Sequence, residues 1–155
     1  MANSRISKTE YFLALAVLAS LRSTCIRRKV GCILTNKKGH VLATGYNGVA
    51  SGETHCSETQ CPGAQHESGE GLDDCEAIHA EQNAILQCRD PQEIAVAYIT
   101  TAPCVSCTKL LMNTTCKTIV FLNSYPNSGR QIWNRSWIKH ESISNVLAKV
   151  FLETT

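Results

Sequence analysis

Apolar positions along the chain change period several times, and each change marks an element. After Ser7-Lys8-Thr9-Glu10, a capping-box pattern, Phe12, Leu13, Ala16, Val17 and Leu21 fall on one broad helical face and predict a helix over residues 7–23. Residues 30–35 and 41–46 are short β-prone runs on either side of Asn36-Lys37-Lys38-Gly39, and they predict a hairpin. A helical pattern returns over 77–86, followed by a strand over 94–100, a helix over 104–112 and a strand over 118–122. A loop at 125–129 leads to a short helix over 130–134, a strand over 137–139 and a helical C-terminal tail over 141–155. This order predicts an α/β fold, a mixed sheet covered by helices. No repeat or linker interrupts it, so residues 1–155 are expected to form a single domain.

Residues 47–75 break the pattern. They are rich in Gly, Ser, Glu and Cys and show no apolar period. A loop of that length inside a compact domain needs either a function or a tether. Cys56, Cys61 and Cys75 lie within it and are candidates for the tether.

Composition narrows the classes. Hydrophobic residues make up 43% of the 155 and charged residues 18%, a globular balance. The formal net charge is +2, without the basic excess of a duplex-binding surface, so nucleic acid is not an expected partner. A small anionic substrate needs only a local cluster of charge. No apolar run of about 20 residues exists, and no membrane span is expected. The N-terminal apolar run includes Glu10 and reads as a helix face, not a secretion leader. Nine cysteines in a chain with its own core pattern point to metal ligation and buried free thiols in a reducing, cytoplasmic setting.

Two motifs carry the chemistry. His79-Ala80-Glu81 opens one predicted helix, and Pro103-Cys104-Val105-Ser106-Cys107 opens another just after a strand. Cys104 and Cys107 are three residues apart, so both thiols can face one side of a helical turn, where the helix N-terminus favours thiolates. With His79 they make a three-ligand set, one His and two Cys, which leaves the fourth tetrahedral position of zinc open. An open position distinguishes a catalytic zinc from a structural one. Glu81 is two residues beyond His79 and is expected to be a proton carrier, not a ligand.

H-x-E followed by P-C-x-x-C is the signature of the zinc nucleobase deaminases. His79-Ala80-Glu81-Gln82-Asn83-Ala84-Ile85 and Ala102-Pro103-Cys104-Val105-Ser106-Cys107, with Gly45-Tyr46-Asn47-Gly48 upstream, resemble the deoxycytidylate deaminases over roughly residues 8–140. Plain cytidine deaminases usually have Cys where this chain has His79. Transfer-RNA adenosine deaminases share the His but typically lack the G-Y-N-G segment. The resemblance implies a three-layer α/β/α sandwich with a central mixed sheet of about five strands. It implies hydrolysis of dCMP to dUMP and ammonia, and a hexamer as the homo-oligomer.

It also implies substrate contacts at Asn47, at Ala80, at Thr101-Ala102-Pro103 and at Tyr125. Arg27, Arg28 and Lys29 form a basic cluster that can meet a 5′-phosphate, Arg27 being the first choice; a solvated charge run is the alternative. After Gly48 the chain runs Val49-Ala50-Ser51-Gly52, where many allosteric members have a Pro, so regulation by dCTP and dTTP stays open. Some phage members hold a second, structural zinc. Two of its ligand positions match Cys25 and Cys56, whereas Gly69 and Ala77 stand at the others. Cys61 and Cys75 are the expected replacements, giving a Cys₄ site that tethers 47–75, with His55 and His66 as substitutes. Cys32, Cys88 and Cys116 read as small core residues. Rival readings are a deaminase of 5-substituted dCMP or of dCTP, a transfer-RNA or single-stranded-DNA deaminase, and a zinc-stabilised binding protein.

Overall fold

A computed structural model describes residues 5–153; the ends of the expected single domain and tail, residues 1–4 and 154–155, lie outside it. The helices are α1 (Lys8–Ser20), α2 (Ala80–Gln87), α3 (Val105–Met112) and α4 (Ser144–Glu153). The strands are β1 (Gly31–Thr35), β2 (Val41–Tyr46), β3 (Val96–Thr101), β4 (Thr118–Asn123) and β5 (Ser136–Lys139). They form one five-stranded sheet in the order β2-β1-β3-β4-β5. β1 is antiparallel to β2 and β3, while β3, β4 and β5 run parallel.

Alternation along the strands builds two cores. Cys32, Leu34, Ala97, Ile99, Ile119 and Phe121 face one side with Ala80, Ala84 and Leu111 of α2 and α3. Ile33, Tyr98 and Val120 face the other with Phe12, Leu13 and Ala16 of α1 and Val146 of α4. The result is the expected α/β/α sandwich. Cys32, Cys88 and Cys116 are buried as core residues.

Glycine sets how closely two helices approach the sheet. A Cβ on Gly31 would stand 1.8 Å from the Ala16 carbonyl oxygen, and one on Gly45 would stand 2.1 Å from the Ala80 carbonyl oxygen. Each backbone lies directly under a helix, and no side chain fits between.

Several boundaries differ from the pattern-based ones. α1 ends at Ser20, and Leu21 is an exposed C-cap, not part of the buried face. α2 starts only at Ala80 because Gly48 and Ile78 form a two-way backbone bridge, with N···O distances of 3.1 and 2.8 Å. The helix expected at 130–134 is a single 3₁₀ turn, Gly129–Gln131. Residues 47–75 contain 3₁₀ turns at Pro62–Gln65 and Leu72–Asp74. No helix among the described residues is long and apolar enough to cross a membrane.

Candidate active site

The site lies at the carboxyl end of β3, where the antiparallel half of the sheet meets the parallel half. Such switch points leave a crevice for ligands. Past Thr101, the Ala102 amide donates to the Asn123 carbonyl at 2.8 Å and Asn123 Nδ2 donates to the Thr100 carbonyl at 2.9 Å, which ends the strand firmly. Pro103 then turns the chain, and Cys104 becomes the N-cap of α3.

Each residue of His79-Ala80-Glu81-Gln82-Asn83-Ala84 has a structural reason for its type. His79 is the N-cap of α2. Gln82 Oε1 accepts from the His79 backbone N–H at 2.8 Å, which satisfies one open amide at the helix start. Asn83 Nδ2 donates to the Tyr46 carbonyl at 2.8 Å, joining this motif to Gly45-Tyr46-Asn47-Gly48. Ala80 and Ala84 are fully buried and sit over Gly45. Glu81 is left to point inward, 4% exposed.

His79 Nδ1 lies 3.5 Å from Cys104 Sγ and 3.3 Å from Cys107 Sγ. Zinc bound tetrahedrally, about 2.05 Å from nitrogen and about 2.3 Å from sulfur, sets N···S edges of about 3.6 Å. The three donor atoms therefore already stand close to the spacing of one zinc face. Among the described residues, His79, Cys104 and Cys107 are the one set of three or more such donors whose atoms all lie within 4.8 Å of one another.

The electrostatics agree with a ligand set. Contact with Cys107 first, and then with His79, holds the Cys104 thiol at about 4 despite burial. Cys107 is pushed up, by Cys104 first and by burial second, so the pair releases its first proton from Cys104. Contact with Cys104 raises His79. Burial raises Glu81 to about 6, close to the operating range of a proton carrier at neutral pH.

A cleft of about 600 Å³, including its open mouth, lies over this site. His79, Ala80, Glu81 and Cys104 line it together with Asn47, Thr101, Ala102, Tyr125 and Arg27. Pro103 is fully buried behind Cys104 and is absent from the wall; its carbonyl accepts from the Gly129 amide at 2.9 Å. Asn47 reaches the wall, but its side-chain amide is engaged: Oδ1 accepts from the Val30 amide and Nδ2 donates to the Arg28 carbonyl, both at 2.8 Å.

Arg27, the expected phosphate contact, lines the cleft and also holds the loop beside it. Its Nη1 donates to the carbonyls of His66, Glu67 and Glu70 at 3.3, 3.0 and 2.8 Å, which fastens the loop. Lys29 is exposed and does not line the cleft. Loop residues Ser68, Gly69 and Leu72 form part of the wall. The sequence offered no sign of them, because loop composition does not encode where a loop docks.

Cys25, Cys56, Cys61 and Cys75 line one small cavity beside the cleft. Cys56 Sγ is 3.7 Å from Cys61 Sγ. Burial acts to raise Cys61, but hydrogen bonds from the backbone at Glu76, Gly63 and Ala64 and from Cys56 outweigh it and lower the thiol. The four sulfurs do not all stand at mutual ligand distance as the three catalytic donors do. His66 is paired with Asp74 at 2.9 Å and His55 with Thr24 at 3.3 Å, so neither substitute is at this cavity.

This fold and donor set define a candidate zinc-binding centre on a cytidine deaminase-like scaffold. The chain belongs to the cytidine and deoxycytidylate deaminase zinc-binding family, whose model matches residues 6–123. Among its relatives, the deoxycytidylate deaminase of Schizosaccharomyces pombe is 39% identical over 125 residues, which cover 78% of this chain and 38% of that protein. The deoxycytidylate deaminase of Mycobacterium phage D29 is 37% identical over 127 residues, covering 76% of this chain and 96% of that one. The chain thus spans about two-fifths of the length of the yeast relatives it matches. The dCMP deaminase of cyanophage S-TIM5, solved with dCMP and dUMP, superposes with a TM-score of 0.69 at 26% identity, covering 90% of this chain and 100% of that one.

Proposed function

We propose that this protein hydrolyses dCMP to dUMP and ammonia. The observation that carries the reading is a buried Glu81 beside the His79–Cys104–Cys107 triangle, on the floor of a cleft whose rim is basic. Relatives named deoxycytidylate deaminase and a neighbour solved with dCMP and dUMP support the choice of substrate.

His79, Cys104 and Cys107 would hold the zinc. Bound there, zinc supplies Lewis acidity that makes water nucleophilic near neutral pH. Glu81 does the proton work. It takes a proton from water as oxygen adds to C4 of cytosine and delivers it to the ring nitrogen N3. It then carries a second proton to the departing amino group as the C4–N4 bond breaks, so water and dCMP leave as dUMP and ammonia. A carboxyl held near 6 exchanges protons readily in both directions at neutral pH. Thr101, Ala102 and Tyr125 line the cleft and would bound the base and sugar. Asn47 acts on them through the backbone of residues 28–30 that it grips.

A second zinc fits the cavity formed by Cys25, Cys56, Cys61 and Cys75. The 3.7 Å Cys56–Cys61 separation matches a tetrahedral S···S edge of about 3.8 Å, and Cys25 and Cys75 line the same cavity. Such a site makes residues 47–75 a tethered wall of a single domain. All nine cysteines are free, as a reducing cytoplasm maintains them. The hexamer is carried by family resemblance.

The test offers dCMP, deoxycytidine, dCTP and a cytosine-containing oligonucleotide to the purified protein, with ammonia release and zinc measured on the same sample. Ammonia from dCMP in strong preference, with two zincs per chain, is the expected result. Release from the oligonucleotide alone overturns the substrate assignment, and one zinc per chain overturns the second site.

A further inference from the structure

We propose that Asn127 is a positioning residue, the latch of a strap formed by residues 66–72, which closes the cleft beside Tyr125 and retains what is bound there. The inference rests on the dCMP hydrolysis proposed above only for the identity of the bound nucleotide.

Residues 66–72 have no apolar period that would dock them, yet Ser68, Gly69 and Leu72 form part of the cleft wall. Polar bonds hold them there. The segment is a compact unit in itself: the Glu70 amide donates to the Glu67 carbonyl at 3.0 Å, and His66 Nε2 meets Asp74 Oδ2 at 2.9 Å. Among the described residues, two side chains from elsewhere in the chain bond to its backbone. Arg27, before β1, holds the carbonyls of His66, Glu67 and Glu70. Asn127, after β4, holds a single one: its Nδ2 donates to the Gly69 carbonyl at 2.9 Å, across 58 positions of sequence.

Gly69 suits that contact. Its φ of +90° lies in the left-handed region, and a Cβ on it would stand 3.1 Å from Tyr125 Oη and 3.2 Å from Cε2. The missing side chain lets the strap backbone lie against the ring. Asn127 is two residues beyond Tyr125, so one short segment supplies both the ring and the latch. That segment is itself anchored. Cys104 and Ser128 form a backbone bridge, and the Gly129 amide donates to the Pro103 carbonyl at 2.9 Å. The strap therefore closes against the turn that carries a zinc-ligand position.

The two fastenings are unequal. Arg27 grips three carbonyls, whereas Asn127 grips one through an exposed side chain. The end with fewer bonds opens first, so the strap hinges at Arg27 and releases at Gly69. Release draws the strap wall away from Tyr125 and opens the cleft on that side. His79 and Glu81 belong to the start of α2, and Cys104 and Cys107 to the start of α3, all outside the strap. The latch thus governs how well a nucleotide is held and not the chemical step, which is a change in KM without a change in kcat.

The experiment compares wild type with Asn127→Ala, Asn127→Asp and Gly69→Ala. Asp keeps the size of Asn but offers only acceptors where the Gly69 carbonyl needs a donor. KM and kcat for dCMP, calorimetric Kd for dUMP and amide exchange at Glu70 are measured, with melting temperature and zinc content on the same samples. One hydrogen bond corresponds to about 2- to 10-fold. Asn127→Ala is expected to raise KM and Kd by that factor, to leave kcat within about twofold, and to speed exchange at Glu70. Asn127→Asp is expected to do more, because its carboxylate repels the carbonyl. Gly69→Ala, which forces the strap off the ring from the other side, is expected to raise KM as well. An exposed bond adds little to global stability, so the Asn127 variants should melt and bind zinc as wild type does.

Unchanged KM and Kd in both Asn127 variants overturn the latch. A fall in kcat or in zinc content with KM unchanged also overturns it, and makes Asn127 a support of the Cys104 turn instead. Should the wild type release no ammonia from dCMP, the proposed reaction fails, while exchange at Glu70 still decides the latch: a wild-type rate in both Asn127 variants overturns it.

Discussion

Replacing Glu81 with Gln should abolish turnover and raise stability together. The substitution is nearly isosteric, so the floor of the cleft keeps its shape. Both proton transfers run through this one carboxyl, which places the loss at the upper end of general acid–base effects, about 10⁴-fold in kcat. That corresponds to about 5.5 kcal/mol of barrier. Stability moves the other way. Glu81 is buried, and its carboxyl is raised from 4.5 to about 6, chiefly by that burial. Keeping it ionised at neutral pH therefore costs the fold about 2 kcal/mol.

The direction follows from linkage. Below pH 4.5 the group is protonated whether folded or unfolded and the cost is absent. It grows as pH rises through 4.5 to about 6 and is constant above. Gln removes it, so at pH 7.5 the variant should melt higher by a few degrees, with about 2 kcal/mol as the ceiling because a nearby dication offsets part of the penalty. The assay pairs ammonia release from dCMP with thermal unfolding and zinc content on zinc-loaded proteins. Retention of activity within tenfold refutes the acid–base role. A variant that melts lower than wild type refutes the burial argument.

Other variants test other links. Cys104→Ser should lower bound zinc by one per chain and reduce turnover at least 10³-fold, since two donors do not hold a catalytic ion; metal analysis reads this directly. Cys56→Ser should remove the second zinc and lower the melting temperature, and an unchanged zinc count refutes the Cys₄ tether. Gly45→Ala places a Cβ 2.1 Å from the Ala80 carbonyl oxygen and 2.6 Å from the Ala84 amide nitrogen. It should destabilise by about 1–3 kcal/mol and depress kcat further by shifting α2 with His79 and Glu81, as denaturant melts and kinetics will show. Arg27→Gln should loosen residues 66–70 by about 1–2 kcal/mol, seen as faster amide exchange there.

What could be read from sequence was local. The capping box at Ser7 and Glu10 formed as written, with the Glu10 amide 3.1 Å from Ser7 Oγ and the Ser7 amide 2.7 Å from Glu10 Oε2. The strands at 30–35, 41–46 and 118–122 were legible because their apolar runs lie between turn residues. The start of α2 lies later than the pattern predicts because Ile78 carries a helix-compatible side chain but spends its backbone on Gly48, 30 positions earlier. No periodicity reports a bridge of that kind.

The sequence by itself determined the donor set. His79, Cys104, Cys107 and Glu81 are chemically specific, and their spacing to the starts of two helices is a local property of the chain. It also determined the α/β class, through the change of period from element to element. Only the tertiary structure decided that β3, β4 and β5 run parallel, so that the carboxyl end of β3 opens into a cleft. It alone showed that Gly31 and Gly45 are demanded by overlying helices. It alone divided a run of three basic residues into a loop fastener, a ring-stacked fork and a solvated charge. The physical reason is the same in each case. Propensity, capping and ligand chemistry act within a few residues. Which donors remain unsatisfied depends on partners 20 to 100 positions away, and those are fixed only when the sheet closes and the loop docks against it.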